Sequence, residues 1–113
     1  MDEYERYENT INELDRQIDE VQNQLNDIEN RLVESQNEVE NIWRAYLVIP
    51  RTIPPNPQKT ELYNQWINMT NQRRLLFAER DTIQDSLDKL VKKRSDLEKK
   101  FTNKENLESH WFF

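Results

Sequence analysis

Apolar side chains recur at alternating spacings of three and four, in two long runs on either side of a proline cluster. The first run is Tyr4, Tyr7, Ile11, Leu14, Ile18, Val21, Leu25, Ile28, Leu32, Ser35, Val39, Ile42 and Tyr46. The second is Leu62, Trp66, Met69, Arg73, Leu76, Arg80, Ile83, Leu87, Leu90, Arg94, Leu97, Phe101 and Lys104. That spacing keeps one stripe on one face of a helix, the seam of a helix pair. Read backwards, the second run matches the first. Facing residue numbers add to 108, as for Tyr4 with Lys104, Ile11 with Leu97 and Tyr46 with Leu62, and Pro54 stands at half that value. The pattern predicts an all-α fold of two long helices in an antiparallel coiled-coil hairpin joined by a proline-rich linker. A hairpin of this kind is expected to hold no pocket, so its chemistry is contact with other chains.

Local signals set the boundaries of a single domain, 1–113. Helix 1 is expected over about 2–48, because Pro50 disfavours helical geometry at Ile49. The linker is 49–56, stiffened by prolines with a fixed φ. Asn56 suits an N-cap and Pro57 a first helical position, so helix 2 is expected over about 57–107, followed by an aromatic tail, 108–113. At about 1.5 Å per residue, each helix would be roughly 70 Å long.

Charge agrees with this register. Residues 1–49 hold 13 acids and 4 bases, a net −9, and residues 50–113 hold 9 acids and 12 bases, a net +3. The register places Lys92 and Lys93 level with Asp15, Lys99 and Lys100 level with Glu8, and Arg73 and Arg74 level with Glu34. Arg73 faces Ser35, giving one polar layer that fixes register. A guanidinium there needs an acid nearby, and Glu34 and Glu38 are the candidates.

Composition narrows the function classes. Glycine and cysteine are absent, which removes Gly-rich phosphate loops, disulfides and thiolate metal sites. Hydrophobic residues make up 35%, too few for a thick core but enough for a seam. The apolar stretch that includes Tyr46 to Ile49 is far short of the roughly 20 residues of a membrane span. The acidic start, Met1-Asp2-Glu3-Tyr4-Glu5, predicts no cleavable signal peptide, hence a cytoplasmic protein or one exported by a route that needs none. His110 is the only histidine, and the carboxylates line exposed helical faces; no catalytic, cofactor or metal residue is expected. The basic stretch from Lys89 to Lys100 is read as balancing the acidic helix 1 rather than as a nucleic-acid site.

What the seam does not use is more informative. Trp43, Leu47, Tyr63, Ile67, Phe77 and Val91 are surplus to the ladder. Trp43, Tyr63, Phe77 and Val91 share the e position of their heptads, and the two e flanks of an antiparallel pair lie on one side, so Trp43 is expected beside Tyr63. Either these rings widen the seam, or they form a face for a further helix; tryptophan and tyrosine are common interface anchors. The tail residues Trp111, Phe112 and Phe113 meet no rung, and either fold back over Tyr4 and Tyr7 or dock on a partner.

Trp43-Arg44-Ala45 near the join, on a chain of this length with two antiparallel helices, resembles the WXG100-like proteins of type VII secretion systems and the small adaptors of LXG toxins. Ala45 stands where that family has glycine, and the proline linker is longer than the family's turn. The resemblance implies side-by-side pairing with another helical hairpin. It also implies an export signal of the aromatic-x-x-x-acid type, here Phe101 and Glu105. The reading is a non-enzymatic adaptor or chaperone-like partner of another helical protein, completing a bundle with it. A homodimeric four-helix bundle is the alternative, and a nucleic-acid-binding rod a third.

Overall fold

In a computed structural model, the backbone is described for residues 2–111 and the side chains for residues 2–103. Two helices and no strand occur among the described residues: α1, Glu3–Val48, and α2, Pro57–Trp111. Asp2 caps α1, its Oδ1 accepting the Glu5 N–H at 2.7 Å, and Glu3 and Glu5 complement the positive end of the helix. Pro50 lacks an N–H and ends α1; the Ile49 N–H closes a last tight turn on the Tyr46 carbonyl at 3.3 Å. The Ile53–Pro54 bond in the linker is cis.

Asn56 opens α2 as its N-cap: its Oδ1 accepts the Gln58 N–H at 2.8 Å and its carbonyl accepts the Thr60 N–H at 3.1 Å. Helix 2 then runs to Trp111, past the 107 expected from sequence, since neither proline nor glycine follows Pro57.

Contacts divide the chain into two units, each built from a length of both helices. The unit formed by Met1–Gln24 and Ile83–Phe113 buries Ile11, Leu14 and Leu87. Its register is set by Tyr7 stacked on Phe101, centroids 4.1 Å apart, and by Arg94, whose Nε donates to Asp15 at 2.5 Å. The unit Leu25–Thr82 buries Leu25, Ile28, Leu32 and Ser35. There Arg73 reaches Ser35 at 3.5 Å, Arg80 pairs with Glu29 at 3.6 Å, and Trp43 packs on Trp66 at 5.2 Å. In both units facing numbers add to 108 or 109 and fall along α2 as they rise along α1, so the helices run antiparallel.

Among the described residues every rung is buried or half-buried except Tyr4, which is 55% exposed although its ring lies 6.0 Å from that of Phe101. The described rungs of α2 other than Leu87 are half-buried rather than buried. One neighbouring helix covers only one side of a rung, and the arginines at Arg73, Arg80 and Arg94 lead their guanidinium groups outward. Burial of a leucine such as Leu32 contributes about 1.5–3 kcal/mol, so the seam rungs outweigh the ion pairs beside them, at about 0–1 kcal/mol each.

Two charge expectations are corrected. Asp15 is met by Arg94, not by Lys92 or Lys93; Lys92 turns along its own helix to Asp96 at 2.7 Å. Arg73 is not matched to Glu34 or Glu38. Its Nη1 donates to the Leu32 carbonyl at 3.2 Å and to Ser35 Oγ at 3.5 Å.

Candidate functional site

The uncovered side chains next to the seam are concentrated in the Leu25–Thr82 unit. Trp43 (38% exposed), Tyr63 (44%) and Phe77 (42%) keep much of their surface open to solvent, as does Leu47 at 61%. Ile67 is half-buried. Val91 is exposed in the other unit.

Four rings assemble where α1 ends and α2 begins. Trp43 stacks on Tyr46 at 5.0 Å and tilts against Trp66 at 5.2 Å; Tyr63 packs on Tyr46 at 6.0 Å and on Trp66 at 6.3 Å. Trp43 and Tyr63 therefore share a cluster, joined through Tyr46 and Trp66 rather than by the direct pairing expected. Tyr46 and Trp66 are half-buried rungs of the seam itself, and Trp43 and Tyr63 pack against them from the flank. Trp43 and Tyr63 remain partly open to solvent.

A second uncovered spot surrounds Phe77. A shallow groove of about 390 Å³ is lined there by Leu32, Val33, Gln36, Arg73, Phe77 and Arg80, among others. The Arg73 guanidinium lies over the Phe77 ring at 5.4 Å, a cation–π contact. Ser35, beneath it, is buried and donates its hydroxyl to the Leu32 carbonyl at 2.9 Å. The expected polar layer of Ser35 and Arg73 is thus formed around a backbone carbonyl. The groove combines Arg73, Arg80 with its partner Glu29, the exposed Phe77 ring and Val33, which is 62% exposed. Val33 was not among the residues singled out from sequence. Its signal is an aliphatic residue one place after a seam rung, on the outer helical face.

The expected absence of pockets is also corrected. Besides the Phe77 groove, the linker and the adjoining ends of both helices line an open recess of about 720 Å³. Ladder arithmetic does not reveal it, because it depends on the path of residues 49–56 in space.

Of the proposed export pair, Phe101 is half-buried and stacked on Tyr7. The side chain of Glu105 lies outside the described residues. Trp111 closes α2, but its side chain, like Phe112 and Phe113, lies outside them as well.

Titration behaviour is perturbed in ion pairs on the helix surfaces. Glu13 is lowered to about 2, first by the hydrogen bond from Arg16 and then by that from Gln17. Asp96 is lowered by its hydrogen bond from Lys92. Arg94 is raised, mainly by its hydrogen bond to Asp15. These are paired surface charges, not groups poised in a cleft for proton transfer. Among the described residues no cluster of three His, Cys, Asp or Glu could hold a metal ion, and no helix is long and apolar enough to cross a membrane.

Fold and site together define an antiparallel two-helix hairpin with an uncovered aromatic flank. Comparison of the chain with family models, curated proteins and solved structures finds no match.

Proposed function

We propose that this chain is a non-enzymatic helical adaptor that binds another helical protein along the flank marked by Trp43, Tyr63 and Phe77. The observation carrying this reading is the contrast within one unit. Leu25, Ile28 and Leu32 are buried, while three large rings beside the same seam stay 38–44% exposed. A two-stranded seam needs only its a and d positions, so apolar e positions are available to a third or fourth helix. Laying a partner helix there would complete a bundle and cover the rings. In the basic stretch from Lys89 to Lys100, Lys92 and Arg94 are engaged with acids of this chain, which weighs against nucleic-acid binding through those two.

In its most specific form, suggested by the type VII resemblance, the partner is the helical N-terminal domain of an exported toxin, and the two are recognised together. The test is titration calorimetry between this chain and a toxin with such a domain encoded beside it. Binding is expected, with Phe77→Ala weakening it at least about ten-fold at unchanged helicity, as for an interface anchor. Unchanged affinity would remove Phe77 from the interface. A tight homodimer by light scattering, dissociated by Phe77→Ala, would replace the adaptor reading with the self-assembled bundle.

A further inference from the structure

The recess at the linker has the size and lining of a small-molecule site, and it shares Tyr63 with the flank proposed for protein binding. Its volume of about 720 Å³ falls among ligand pockets, which run to about 300–1,000 Å³. Tyr46, Tyr63, Ile53 and Pro55 supply an apolar lining, and Ile53 is fully exposed.

The charges on this lining are of one sign. Arg51 and Lys59 both border the recess, and no acid does. From Ile49 to Thr60 the chain carries these two cations and no carboxylate, although its net charge is −6. Lys59 is held in place rather than trailing in solvent: its Nζ donates to the Ile49 carbonyl at 2.5 Å and sits 4.3 Å above the Tyr46 ring. An ammonium has three N–H donors, so this one has capacity for a further acceptor.

We infer that the recess binds a hydrophobic carboxylate, an alkyl or aryl chain lying against Tyr46, Tyr63 and Ile53 with its carboxylate between Arg51 and Lys59. An organic cation is disfavoured by the two like charges. A single carboxylate on an apolar body matches both the charge and the lining.

The probe is octanoate, with octanamide as its neutral counterpart, titrated into the full chain and followed by amide NMR shifts. Octanoate is expected to give saturable shifts confined to residues 46–63, and octanamide to bind at least about ten-fold more weakly, through loss of the charge-assisted contact. Arg51→Gln, a change at an exposed linker position, should weaken octanoate about ten-fold and leave octanamide unchanged. Ile53→Ser should weaken both. Absence of saturable octanoate shifts, equal affinity for the two probes, or indifference of octanoate to Arg51→Gln would each overturn the inference.

Discussion

Glu13 shows how little of this surface chemistry reaches the core. It takes a hydrogen bond from Arg16 and another from Gln17 on the outer face of α1, and its carboxyl is held at about 2 against an ordinary value of 4.5. A carboxylate whose folded pKa is depressed stabilises the fold above its ordinary pKa, and that contribution is lost as pH falls through the folded value. Helix stability near Glu13 should therefore decline between about pH 4.5 and about pH 2. A carboxyl NMR titration should place the Glu13 midpoint near 2, and Arg16→Gln should return it toward 4.5. A midpoint that does not move in the variant would mean that Arg16 is not its cause. At this scale the sequence was a good guide to position and a poorer one to partners. The rungs are where the spacing put them, but Asp15 is claimed by Arg94 at the rung itself, and Arg73 is satisfied by a carbonyl. An arginine long enough to reach several acceptors is not assigned to one of them by heptad position.

Each helix begins and ends where short-range chemistry dictates. Asp2 caps α1, Pro50 stops it, and Asn56 followed by Pro57 restarts the chain as α2. Pro50, Asn56 and Pro57 were legible in the sequence, because caps and prolines act over three or four residues; the Asp2 cap was not singled out there. The far end of α2 was less so, since no breaker follows Pro57 to mark a stop. Less legible still was the junction itself. There Lys59, in the first turn of α2, donates to the carbonyl of Ile49, the residue just past the end of α1, so a cation sits near that helix's C-terminus. The Asn56 cap carries a definite expectation. Asn56→Ala should destabilise the chain by about 1 kcal/mol, and Asn56→Asp should lose little of that. Thermal unfolding followed by circular dichroism is the check; equal losses in the two variants would show that the side-chain acceptor is not what matters.

Taken as a molecule, the chain separates what folds it from what it offers. The seam rungs are paired between helices, whereas Trp43, Tyr63 and Phe77 are large, apolar and incompletely covered. The heptad pattern identified all three as surplus. It did not show that Trp43 is half absorbed into a four-ring cluster, which makes Phe77 the cleaner probe. Recesses at the linker and around Phe77 escaped the pattern, because they arise from the linker path and from side chains leaning off the seam. The most direct measurement of the central claim compares the unfolding free energies of Phe77→Ala and Leu32→Ala in the isolated chain. If the flank is surplus to folding, Phe77→Ala should cost about 1 kcal/mol or less, the scale of its cation–π contact with Arg73, whereas Leu32→Ala should cost about 2–5 kcal/mol. Comparable losses of about 2–5 kcal/mol from both would make Phe77 part of the core and contradict the account.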